Sequence, residues 1–106
     1  MRVIVESPYA GNVARNTEYA RACVRDSLDR GEYPIASHLL YPQPGILEED
    51  NPHERQRGID AGLAWRTVSD YAVFYVDLGW SAGMLAARAL YDREGRPYKR
   101  RRLPIP

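Results

Sequence analysis

The sequence predicts an α/β fold: a parallel sheet of about four strands, in the order 2-1-3-4, between layers of helices on both faces. Three observations lead there. Apolar, β-branched runs alternate with helix-periodic segments as β-α-β-α-β-α-β, the spacing of parallel strands joined by right-handed crossovers. The run Tyr71 to Val76 is apolar almost throughout, as a central strand covered on both faces must be. Finally, 106 residues with 44% hydrophobic and 27% charged side chains support one domain over residues 1–106 and no second core.

The elements follow in order. Met1 to Ser7 is a β-branched run stopped by Pro8, which cannot continue a central ladder. After the turn Tyr9-Ala10-Gly11, Asn12 offers a side-chain oxygen to cap a helix. Val13, Ala20, Cys23, Val24, Ser27 and Leu28 form its inward face, Arg15, Glu18, Arg21, Arg25, Asp26 and Asp29 lie mostly outward, and Gly31 ends it. Tyr33 to Ser37 reads as strand two. The stretch Pro42 to Asn51 is the one long loop. Asn51-Pro52-His53-Glu54 opens a second helix with a cap, a proline at its first position and the pattern of a capping box. That helix is expected to run to about Ser69. Its apolar residues surround much of its circumference, which predicts packing on two sides, and Gly58 and Gly62 admit a close backbone neighbour. Tyr71 to Val76 is strand three. Ser81 caps a helix to about Arg93, Gly95 stops it, and Arg96 to Leu103 is a final edge strand marked by Pro97 and charges.

Composition excludes several classes. The net charge of +1 and the apolar content do not fit intrinsic disorder. No apolar run approaches the roughly 20 residues needed to span a bilayer. Met1 to Glu6 enters a strand without the longer apolar stretch of a signal peptide. Cys23 is the only cysteine, so neither an internal disulfide nor a cysteine-based zinc site is expected, and a cytoplasmic location is the default. The chain carries neither G-x-G-x-x-G nor Gly-Lys-Ser/Thr, and no metal or cofactor is expected. Lys99 is the single lysine among 15 basic residues, and Arg93, Arg96, Lys99, Arg100, Arg101 and Arg102 crowd the C-terminal end. Such a run suits a solvated edge strand; salt-dependent contacts with nucleic-acid phosphates are the alternative.

In the order 2-1-3-4, strands one and three are neighbours whose following helices leave toward opposite faces. The crevice outside their carboxyl ends is the expected ligand site. Two segments converge there: Glu6 to Asn12, and Asp77 to Met84. Gly79, Ser81, Gly83 and the helix start beyond them form an anion cradle of open backbone N–H groups, or else only a tight turn with a capping serine. Tyr9 and Trp80 offer aromatic faces to a base or sugar, or cover the end of the core. His38 offers a hydrogen bond or acid/base group near neutral pH, or is a structural histidine. Glu6 and Asp77 are strand-end carboxylates. Glu6, at a buried strand end, calls for a function or for a partner such as Arg15 or Arg55.

Ser7-Pro8-Tyr9-Ala10-Gly11, His38-Leu-Leu-Tyr-Pro-Gln43 and Gly79-Trp80-Ser81-Ala82-Gly83-Met84 together resemble the nucleoside 2-deoxyribosyltransferase-like superfamily, in particular a small phage and bacterial branch. The resemblance spans nearly the whole chain. It implies a Rossmann-like, flavodoxin-type fold, oligomerisation through helices and a site for a nucleoside or nucleoside monophosphate. It places Ser7, Tyr9, Gly11, Asn12, His38, Gly79, Trp80, Ser81, Gly83 and Met84 around that ligand. In catalytic members a glutamate on the helix after the Ser-x-Gly turn attacks the anomeric carbon, forming a glycosyl intermediate. That spacing falls on Ala87, which has no nucleophilic atom, leaving Glu6 or Asp77 as the catalytic carboxylate. The expected activity is N-glycosidic hydrolysis or deoxyribosyl transfer; the alternative is a non-catalytic nucleotide-binding, sequestering or regulatory protein. A homodimer or higher oligomer through the second helix is the expected assembly.

Overall fold

The structure, a computed structural model, describes residues 1–105. It contains β1 (Arg2–Glu6), α1 (Val13–Asp29), β2 (Tyr33–Ile35), α2 (Pro52–Ala64), β3 (Tyr71–Tyr75), α3 (Ala82–Glu94) and β4 (Tyr98–Arg101). The four strands are all parallel, in the order β2-β1-β3-β4, as the alternation predicts. Side-chain alternation along the strands divides the core in two. Val3, Val5, Val73 and Tyr75 meet Cys23 of α1 on one face. Ile4, Ala72 and Phe74 meet Met84, Ala87 and Tyr91 of α3 on the other. Glu6, two residues beyond Ile4 and in register with Phe74, continues the α3-side row at the carboxyl end of the sheet.

The capping residues behave as the sequence predicts. Asn12 accepts from the Arg15 backbone N–H, Asn51 from His53 and Glu54, and Ser81 from Met84. Gly95 adopts the left-handed conformation that ends α3.

Several boundaries and faces differ from expectation. β2 stops at Ile35 because residues Ser37–Leu39 turn into a 3-10 segment, held by His38 Nε2 against the Ser7 carbonyl at 3.0 Å. β3 ends at Tyr75. α2 ends at Ala64, where residues Trp65–Thr67 tighten into a 3-10 turn; the Thr67 and Ser69 hydroxyls donate to the carbonyls of Ala64 and Trp65 and so compete with helix continuation. No reciprocal capping box forms, since the Glu54 carboxylate accepts from the Glu48 backbone N–H across the long loop. On α1 the buried stripe is Asn16, Ala20, Cys23, Asp26 and Ser27, whereas Val13 and Leu28 are exposed.

Asp26 turns inward because it has polar partners beneath the helix. It accepts from Tyr75 Oη at 2.7 Å and from Arg30 at 2.9 Å. Beside it, Glu32 takes a bidentate pair from Arg101 at 2.8 and 2.9 Å, together with the Ser27 and Tyr71 hydroxyls. The Arg101 guanidinium holds the Glu32 carboxyl down at about 2.

α2 does not pack on two sides. Gly62 is its one buried residue, while Ile59 stands 44% exposed. Gly62 is required by its own chain: a Cβ there would sit 2.7 Å from that of Ser37. Gly58 faces Leu47 and Tyr41. No helix among the described residues is long and apolar enough to cross a membrane.

Candidate functional site

A cavity of about 520 Å³ opens at the carboxyl ends of β1 and β3 and runs between α2 and α3. Its α3 wall includes the small residues Gly83, Ala86 and Ala87, with Leu90 and Arg93 one and two turns further along the helix. Among the predicted site residues it gathers Glu6, Tyr9, His38, Ser81, Gly83 and Met84. The bend around Tyr9 and the turn before α3 therefore share one cavity across two adjacent parallel strands, the juxtaposition that the strand order predicts.

Glu6 is the chemically distinctive wall. It keeps partial exposure through the cavity mouth, yet its carboxyl is surrounded by protein. Neither expected partner reaches it: Arg15 turns to Asn16, and Arg55 pairs with Glu49 at 3.4 Å. Desolvation alone pushes its carboxyl up to about 7. Tyr9 and His38 form the facing aromatic wall, stacked with ring centroids 4.9 Å apart. The β1–α1 bend behind them is fixed by Asn16, whose amide donates to the carbonyls of Tyr9 and Ala10. Burial lowers the His38 imidazole below its usual range, against a smaller opposing pull from the Ser7 carbonyl.

At the α3 start, Ser81 Oγ accepts from Met84 N–H at 3.2 Å, so the hydroxyl is engaged in capping. The N–H groups of Ala82 and Gly83 have no intrahelical partner by position. Gly83 leaves them open, because a Cβ there would meet only Ser81 Oγ at 4.0 Å.

The other predicted residues lie elsewhere. Asp77 sits on the α1 side of the sheet, clasped by the Tyr19 hydroxyl and by the Leu103 backbone N–H at 3.0 Å. Burial raises its pKa, but those hydrogen bonds outweigh it and leave the carboxyl below its ordinary range. It fastens the segment after β4. Trp80 packs on Phe74 at 5.1 Å under the Arg88 guanidinium and closes the core beside β3. Gly79 supplies a positive φ for the turn, Gly11 does the same before α1, and Asn12 caps α1. Ser7 is buried, with its carbonyl serving His38.

Most of the remaining wall was not predicted, including the polar residues Ser37, Glu49 of the loop, Glu54, Arg55 and Asp60 of α2, and Arg93 of α3. The length of the loop 42–51 was the available signal, since long ordered loops commonly lie over sites. Nothing in the spacing directs its acids toward the strand ends. With Glu6 the walls carry four acids and two arginines, Arg55 and Arg93. No group of three or more His, Cys, Asp or Glu side chains able to hold a metal occurs among the described residues.

No curated protein and no solved structure shows significant similarity to this chain. Over residues 1–101, and so over the whole sheet and every wall of the cavity, the chain belongs to the family described as "Domain of unknown function (DUF7768)".

Proposed function

We propose that the cavity binds a nucleoside or nucleoside monophosphate and that Glu6 is the carboxyl group that promotes cleavage of its N-glycosidic bond. The observation that carries the reading is Glu6 itself. It is an unpartnered, desolvated carboxyl in a cavity of about 520 Å³ that is also lined by the stacked Tyr9–His38 pair. A group with a pKa of about 7 carries its proton half the time at neutral pH, which suits a general acid. Glu6 would donate its proton to the departing base as the C1′–N bond breaks; water would then form the C1′–O bond and release a proton that returns to the Glu6 carboxylate. Asp77 has no such part, since it points away from the cavity. Ala87, where the resemblance to the deoxyribosyltransferase-like superfamily places a nucleophile, lines the same cavity. A carboxyl from β1 thus lines the same cavity as the α3 position where one is missing.

The test is calorimetric binding of 2′-deoxynucleosides and their monophosphates, followed by chromatography for released base. Glu6→Gln should keep affinity within a few-fold and lose base release. Gly83→Tyr should block binding without unfolding the chain. Release that is unaffected by Glu6→Gln would overturn the catalytic assignment.

The second reading is non-catalytic binding, favoured by the absence of a nucleophilic atom at Ala87; measurable affinity with no base release would establish it. A nucleic-acid role for the C-terminal arginines is weaker, because Arg101 is committed to Glu32 and Arg96 to Glu94. A homodimer through α2 would not use its glycines, since Gly62 is packed on Ser37 and Gly58 faces Leu47 and Tyr41.

A further inference from the structure

We propose that His38 is the hydrogen-bond acceptor of the cavity, with its Nε2 bearing the ring proton and its Nδ1 lone pair presented to the ligand. The proposal deepens the reading of the cavity as a nucleoside site, but rests on contacts that exist without any ligand. The Ser7 carbonyl, 3.0 Å from Nε2, can only accept, so that nitrogen must carry a hydrogen. Desolvation favours the neutral ring, which leaves Nδ1 unprotonated. Nδ1 meets no donor among the described residues. It is also not one of the sealed polar atoms lacking a partner, which are Ser7 Oγ and Tyr91 Oη. The lone pair therefore reaches solvent, and the solvent beside this ring is the cavity.

The orientation is held from two sides. Tyr9 stacks on the ring, and the 3-10 turn carrying His38 is pressed against Gly62 of α2. The other titratable groups on the cavity walls are Glu6 from β1, Tyr9 from the bend, Glu49 from the loop, Glu54, Arg55 and Asp60 from α2, and Arg93 from α3. None of them hydrogen-bonds His38.

A chemical requirement on the ligand follows. It must offer an N–H or O–H toward His38, because an analogue without that donor displaces solvent from this acceptor and leaves it unpaired. A base amide edge or a sugar hydroxyl meets this requirement.

Two variants separate positioning from packing. In His38→Gln the side-chain amide can still donate to the Ser7 carbonyl but places no acceptor where Nδ1 was. In His38→Asn the contact with Ser7 is lost. The melting temperature of His38→Gln should stay near that of the wild type, while its affinity for 2′-deoxyadenosine or thymidine falls at least tenfold. Wild-type affinity in His38→Gln would overturn the proposal.

Two measurements on the free protein keep the outcome separate from that of the proposed function. Side-chain ¹⁵N spectra should show Nε2 protonated and Nδ1 bare at pH 7.5. Diethyl pyrocarbonate should carbethoxylate His38, with exposed His53 as the internal control. If neither nucleoside binds, the proposed function falls while these two results still decide the role of His38. A protonated Nδ1, or a His38 that stays unmodified while His53 reacts, would sink the inference.

Discussion

Glu6 sets the direction in which one carboxyl tilts the pH dependence of the fold. Its pKa in the folded chain is about 7, against 4.5 ordinarily. The folded state therefore holds this proton more tightly than the unfolded chain does. The stability it confers is complete below about pH 4.5 and is lost as pH rises through 7. Glu6→Gln should stabilise the protein by ~2–3 kcal/mol at pH 8 relative to its effect at pH 5. Urea unfolding at the two pH values measures this, and an equal effect at both would show that the carboxyl is not desolvated. Cys23 gives a second check at this scale. It is fully buried with its thiol pushed up to about 12, so thiol reagents should label it only on unfolding. Fast labelling in native buffer would mean that α1 lifts from the sheet.

At the scale of elements, β4 is an edge strand held by one buried ion pair. Arg101 and Glu32 retain 11% and 8% of their side-chain exposure. Arg101→Met leaves Glu32 buried without its cation and should destabilise by ~3–5 kcal/mol. The double variant Arg101→Met/Glu32→Leu should recover most of that loss in denaturant titrations; no recovery would mean that packing, not charge, is what Arg101 supplies. The pair also has an opposite pH sign to Glu6. The folded Glu32 pKa is about 2, so its contribution is present above about pH 4.5 and is lost as pH falls toward 2. Gly62 joins α2 to the turn that carries His38. Gly62→Ala would drive a methyl to 2.7 Å from Ser37 Cβ, and a destabilisation of ~1–3 kcal/mol is expected by thermal unfolding.

Across the whole molecule, burial is uneven. The central strands are sealed on both faces, whereas α2 buries one glycine and borders a cavity. Such an element is the cheapest to open locally. Native-state hydrogen exchange should find α2 amides exchanging well before those of β1 and β3, and ligand in the cavity should slow them. Equal protection in α2 and the central strands would mean that another surface, such as a second copy of the chain, covers the helix. Sedimentation across a concentration series distinguishes that case, since a dimer would shift with concentration.

The sequence alone determined what depends on local chemistry and on period: the number and order of elements, the all-parallel sheet, the caps at Asn12, Asn51 and Ser81, and the meeting of the Tyr9 bend with the turn before α3 at the carboxyl ends of β1 and β3. Those features come from side-chain alternation, helix caps and crossover handedness, each written within a few neighbouring residues. Tertiary structure decided everything that depends on which side of the sheet a side chain finds its partner. It took Asp77 and Trp80 out of the cavity, because Tyr19 and Phe74 satisfy them elsewhere. It brought in Glu49 on a loop whose path no periodicity encodes, and Glu54 and Asp60 on the face of α2 that the loop sets against the cavity. It left Glu6 without a cation, because the arginines that spacing offered are engaged by nearer carboxylates and amides. Long-range pairing has no signature along the chain, and long-range pairing decides which side chains line the cavity.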